Sequence, residues 1–197
     1  MSEADSSDAG TWRAVLTWRA HDVPRMESAR VQVSGDRIKA YGRIVAAATS
    51  AHPAFSASYD LVTDEAGATK RLSLTVTLAE RERQLSIARD EENMWLVQEH
   101  SGQTSRSAYD GALDVDVIFS PFFNALPIRR TCVYKDGGSV TVPVVYVRVP
   151  DLAVDVETIS YAAVDGGIRL HSPVAETVVT VDSDGFILDY PGLAERI

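Results

Sequence analysis

The chain has one cysteine in 197 residues. Cys132 alone cannot form an intrachain disulfide, and there is no Cys-x-x-Cys redox or metal motif. Basic charge is also short. Nineteen lysines and arginines against 28 aspartates and glutamates leave a net charge of −9. That balance gives no basic footprint for nucleic acid and no polybasic stretch for an anionic membrane surface, although one local cationic pocket is compatible with it. No run approaches the roughly 20 apolar residues of a membrane-crossing helix. The opening MSEADSSDAG lacks the basic and apolar regions of a secretory signal. Residues 1–10 read as a disordered leader, and the whole as a cytoplasmic protein with a reduced thiol. None of His21, His52, His100 and His171 stands at metal-ligand spacing, and no GxSxG elbow occurs. A Ser-His-Asp arrangement built from distant segments stays compatible with the sequence. No catalytic residue, metal or cofactor is assigned.

What the chain does contain is apolar. Hydrophobic residues make up 45% and charged residues 24%, enough for a core without disulfide or metal staples. The length suits one domain over residues 11–197. Its pattern is β. In Lys70–Leu78, Leu72, Leu74, Val76 and Leu78 share one face, while Arg71, Ser73, Thr75 and Thr77 share the other. Ser34-Gly35-Asp36 marks a hairpin turn, and so does Asp90-Glu91-Glu92-Asn93. AERERQ, before Leu85–Arg89, reads as a polar turn, with a two-turn helix as the alternative. Gln98–Ala108 reads as a mobile loop. After a strand over Val115–Phe119, Ser120-Pro121 predicts a helix N-terminus, and Pro127 predicts its end near Leu126. Further strands are expected at Thr131–Lys135, Val140–Val149, Val154–Tyr161, Ile168–Ser172, Thr177–Asp182 and Phe186–Tyr190. Val140–Val149 is nearly all valine and reads as buried on both faces, with Pro143 marking an edge or bulge. About nine or ten strands and one or two short helices describe a mainly antiparallel barrel, half-barrel or sandwich.

Asp114 and Asp116 are the most suggestive acidic pair. At i and i+2 of a strand they point the same way. They could hold a cation, share a proton or accept from sugar hydroxyls; equally, one could cap a turn while the other pairs with an arginine. Arg129 and Arg130 are the natural partners, and in an extended segment only one of them joins that face. A guanidinium inside an apolar roll needs a carboxylate or a bound anion. Aromatics such as Phe122, Tyr161 and Tyr190 suit either a core or a cavity wall. Cys132 reads as a small buried residue of a strand.

Three segments carry a resemblance: GALDVDVIFSPFFNALPIRR (Gly111–Arg130), VVYVRVPDLAV (Val144–Val154) and VDSDGFILDYPGL (Val181–Leu193). They are similar to a bacterial family of glycolipid-binding domains, first described as a domain of unknown function, over nearly the whole chain. The family pattern matches here at Asp114, Asp116, Pro121, Asn124, Arg129, Arg130, Asp189, Tyr190 and Pro191. Ala112 stands where the family commonly has Cys, Phe123 and Ala125 replace two threonines, and Ser160 stands near an expected glutamine. The resemblance implies a single antiparallel spiral β-roll or open half-barrel of about nine to twelve strands, like bacterial lipoprotein and lipid carriers. It implies a lipid or glycolipid ligand on the concave face, and no catalytic residues. The ligand-binding set so expected is Asp114, Asp116, Phe122, Asn124, Arg129, Arg130, Tyr161 and Tyr190. Two alternatives stand beside it: a hydrolase or isomerase using Asp114 and Asp116, and a protein-interaction module using a sheet edge.

Overall fold

The structure, a computed structural model, describes residues 11–197; the expected leader lies outside the described residues. The first half is an up-and-down run of eight strands: β1 (Thr11–Ala20), β2 (Arg25–Ser34), β3 (Arg37–Ala46), β4 (Phe55–Thr63), β5 (Thr69–Thr77), β6 (Glu82–Arg89), β7 (Trp95–Glu99) and β8 (Thr104–Ser107). Then come β9 (Asp114–Val117) and two helices, α1 (Pro121–Arg130) and α2 (Val133–Asp136). The second run is β10 (Ser139–Val147), β11 (Val154–Val164), β12 (Gly167–Ser172), β13 (Ala175–Val181), β14 (Ile187–Tyr190) and β15 (Ala194–Arg196). All fifteen strands form one open sheet, in which β15 pairs with β1 and so joins the two runs. The β9·β10 pair is parallel. Such a pair needs a long connection, and the two helices supply it.

Alternation explains the first run. In β2, β4 and, from Leu72 onward, β5 every second residue is buried, so Ala29, Val31, Val33, Leu61, Leu72, Leu74 and Val76 line one concave face. Against that face pack Phe122, Phe123, Ala125 and Leu126 of α1. Ile128, from the same helix, packs into a second core with Tyr146, Tyr161, Leu170, Ile187 and Tyr190. Between the two cores run β9 and the end of β10. Val115, Val117, Val145 and Val147 face the larger core, and Val144 and Tyr146 the smaller. This double burial accounts for the valine-rich run. Pro143 sits one residue before pairing with β9 begins, where that side of β10 is still uncovered.

Four expectations are corrected. The sheet has fifteen strands, more than nine to twelve, because short pieces such as β8 form inside the polar stretch expected to be a loop. The helix does not stop before Pro127 but runs through it to Arg130. Proline lacks one N–H, but Pro121–Ile128 is buried throughout, and tertiary packing outweighs that loss. Thr131–Lys135 is not a strand: Thr131 closes α1 by bonding back to the Pro127 carbonyl, with its N–H at 3.0 Å and its Oγ1 at 2.7 Å. Cys132 follows in the left-handed region (φ 54°), part-exposed between the helices rather than buried in a strand.

At one edge of the sheet, the approach to β9 is covered by β5, whose Thr69 N–H donates to the Leu113 carbonyl at 2.8 Å. Gly35 (φ +60°) provides the left-handed turn between β2 and β3. Gly42, in mid-strand, has a different purpose. A Cβ there would lie 2.0 Å from Tyr59 Cζ, so only glycine lets the tyrosine lie flat across β3. Gly42→Ala is therefore expected to cost about 1–3 kcal/mol, read as a lowered urea midpoint at unchanged slope.

Candidate functional site

The inward rows of this roll are not purely apolar. Arg25 and Glu27 occupy inward positions of β2, immediately before Ala29 and Val31. Glu27 is 2% exposed. Its Oε1 accepts from Tyr59 Oη at 2.7 Å and from Ser120 Oγ at 2.6 Å, and its Oε2 has no partner. Ser120 does precede α1 as its N-cap residue, but its hydroxyl goes to Glu27 instead of capping the helix. Burial pushes the Glu27 carboxyl up to about 7, against the opposing pull of the Ser120, Tyr59 and Phe122 N–H hydrogen bonds.

Asp114 and Asp116 do share a face, with Val144 and Tyr146 as register partners on β10. Asp114 is fully buried and fastened to Arg130, with Nε to Oδ2 at 3.1 Å and Nη2 to Oδ2 at 2.6 Å. Burial raises its pKa, and the Arg130 contacts oppose that rise. Asp116 has no such cation. Asn124 Nδ2 reaches both its oxygens at 3.4 Å. Burial raises it to about 7, and the Glu27 and Asp114 carboxylates add to the push. Around it lie buried polar atoms without partners: Asn124 Oδ1, Tyr146 Oη and Tyr161 Oη. Burial, with the field of Asp116 added, raises the Tyr161 hydroxyl. Tyr190 is likewise raised to about 12, chiefly by burial.

Six expected residues therefore gather in one region: Asp114, Asp116, Asn124, Arg130, Tyr161 and Tyr190. Two do not. Phe122 is core, stacked between Tyr59 and Phe186 at centroid distances of 5.7 and 6.2 Å. Arg129 lies over Phe186, 4.9 Å from the centroid, and donates to the Asp184 carbonyl. Only one arginine joins the aspartates, as expected, but the reason is different: the two are successive helical residues, about 100° apart around α1, not opposite faces of a strand.

Open space lies at one end of the roll. A groove of about 530 Å³ is lined by residues including Ala20, Val23, Pro24, Arg25, Met26 and Val45. A second of about 300 Å³ is lined by residues including Val23, Arg25, Phe119, Tyr190, Pro191 and Leu193. Both linings include Val23 and Arg25, and Met26 and Val45 of the larger groove lie on the outer face of the sheet. Tyr190 is the one expected site residue in either wall. Arg25 and Glu27 were missed by the sequence reading. The available signal was their phase: in RMESARVQV both stand on the same alternate positions as Ala29, Val31 and Val33.

A family model described as "Putative glycolipid-binding" matches residues 15–196. The chain belongs to that family. A solved structure of similar fold is that of a DUF1089 family protein from Pseudomonas aeruginosa, at 1.80 Å. It is 24% identical with a TM-score of 0.69, over 100% of this chain and 98% of that one, and the likeness shows the shared fold. No curated protein matches. Among the described residues no helix is long and apolar enough to cross a membrane.

Two outcomes follow for the buried charges. Arg130→Gln strands the Asp114 carboxylate and should cost about 3–5 kcal/mol in chemical denaturation, with partial recovery when Asp114→Asn is added. Glu27 and Asp116 bind protons more tightly when folded, so stability falls as pH rises from about 4 to about 7 and levels off above. Glu27→Gln should flatten that fall in thermal melts and leave the variant more stable than wild type at pH 8, by about 1–3 kcal/mol.

Proposed function

We propose that the protein binds an amphipathic glycolipid at the open end of the roll, without transforming it. The observation that carries this reading is a pair of grooves, about 530 and 300 Å³, that share Val23 and Arg25 as lining residues. Their walls are mostly aliphatic, and their polar groups are few: Arg25, Tyr190 and Asp22 in the smaller, Arg19 and Arg25 in the larger. An alkyl chain matches the first feature and a compact polar head the second. The volumes lie in the range of small-ligand sites, about 300–1,000 Å³. Membership of a family described as glycolipid-binding supports the same class of ligand.

The ligand lies beside the β1–β2 connection and not in the middle of the concave face, which α1 fills with Phe122, Phe123 and Leu126. Asp114, Asp116, Asn124, Arg130 and Tyr161 then act behind the wall, as the polar layer near Tyr190, and Phe122 and Arg129 hold α1 in place. The hydrolase or isomerase alternative gains nothing from Asp114, whose carboxylate is held by Arg130.

Native mass spectrometry with decyl glucoside as probe tests the proposal. A one-to-one adduct is expected, and Val23→Trp, which enlarges a side chain lining both grooves, should reduce occupancy about tenfold, or 1.4 kcal/mol. If no alkyl glycoside is retained, or if Val23→Trp retains it as well as wild type, the proposal fails.

A further inference from the structure

The amphiphile-binding reading leaves open the charge of the head group, and Arg25 bears on it. Arg25 is only 8% exposed, yet it forms no salt bridge: no carboxylate oxygen among the described residues comes within 4.0 Å of its guanidinium. Its one side-chain hydrogen bond is long, from Nη2 to the Leu193 carbonyl at 3.4 Å. Arg129 also lacks a carboxylate, but it donates to the Asp184 carbonyl, and three other arginines are paired closely. Arg89 meets Asp64, Arg130 meets Asp114 and Arg196 meets Asp182, all at 2.6 Å. Glu27, two residues along the same face, attracts Arg25 from beyond 4.0 Å, but its hydrogen bonds go to Tyr59 and Ser120 through Oε1.

A guanidinium offers five N–H donors in a planar fork. Removing it from water without an anion is costly. The fork of Arg25 is held from one side, where its carbon lies 4.6 Å from the centroid of the Phe119 ring. Phe119 itself sits at φ 74°, a strained backbone for a bulky residue. Strain of this kind marks a placement that the surrounding packing enforces, and here it puts the ring beneath the guanidinium. Arg25, positioned over Phe119 and without a close carboxylate, is with Val23 one of the two residues that line both grooves.

We infer that the head group bound here is anionic: a carboxylate or phosphate accepts from the Arg25 fork while the alkyl portion lies along the apolar wall of the adjoining groove, which includes Val23, Phe119 and Leu193. This rests on the amphiphile-binding reading and narrows it. An acidic sugar lipid and a phosphate ester share the required oxygens, and the choice of probes separates them.

The test is a calorimetric titration of the intact protein with decyl glucoside, decyl glucuronide, decyl phosphate and inorganic phosphate. At least one acidic alkyl probe should bind about tenfold or more tightly than decyl glucoside. Whichever is tighter, glucuronide or phosphate ester, identifies the source of the anion. Inorganic phosphate should bind far more weakly than decyl phosphate. Arg25→Gln should bring the acidic probe down to the level of decyl glucoside, and Arg25→Lys, which keeps charge but loses the fork, should fall between. Equal binding of neutral and acidic alkyl probes to the wild type overturns the inference and leaves the amphiphile reading intact. That comparison needs no variant to fold. A preference that survives Arg25→Gln also overturns it. If no alkyl probe binds, both fall; if inorganic phosphate binds as tightly as decyl phosphate, the site takes a free anion and the lipid part is wrong.

Discussion

A sheet that curls without closing leaves a concave apolar face that something has to cover. Here the cover is α1, and much else in the molecule follows from that. Eight of its ten residues are buried, and they serve two cores at once, the first through Phe122, Phe123, Ala125 and Leu126, the second through Ile128. A helix buried all round needs no polar face, which is why a proline at its seventh position is tolerated. Its two ends are treated differently. The C-terminal end carries Arg130 to Asp114, and the N-terminal end surrenders the Ser120 hydroxyl to Glu27.

Placing a helix inside the roll also creates the polar layer beneath it. Asp116 and Asn124 sit on β9 and α1, close enough for a long hydrogen bond but with acceptor capacity unused. Each buried polar atom left without a partner costs of order 1–3 kcal/mol. A protein built for stability alone would place aliphatic side chains there. The layer instead lies beside Tyr190, at the wall of the smaller groove, and Arg25 and Glu27 continue it along β2. Polar groups thus run from the interior to the end of β2 beside the smaller groove.

Much of the fold was legible because it rests on period-two alternation and on turn residues. Lys70–Leu78, the Gly35 hairpin and the Asp90–Asn93 turn all stand where their pattern puts them. The segment after Ser120 was less legible. Local preference says that proline ends a helix and that Thr131–Lys135 is extended, whereas long-range burial decides otherwise. The same misreading turned Arg129 and Arg130 into opposite faces of a strand. Six of the residues in distinctive motifs, from Asp114 to Tyr190, do lie together in the fold, though only Tyr190 lines a groove. Arg25 and Glu27 were missed, because a charged residue in a polar-looking stretch reads as solvated until the strand's inward phase is followed back from Val33 to its start.

The seam between β1 and β15 has a consequence for how the chain comes together. It pairs only Trp18, Arg19 and Ala20 with Arg196, Glu195 and Ala194, and it joins residues 176 positions apart, as at Arg19 and Glu195. During synthesis the first meander leaves the ribosome with β1 as a bare edge, and the strand that covers it follows all the other described strands. Non-local pairing of this kind is slow, and an exposed edge invites the wrong partner while it waits. The open sheet is therefore most vulnerable to mispairing along β1 in the interval before β15 arrives.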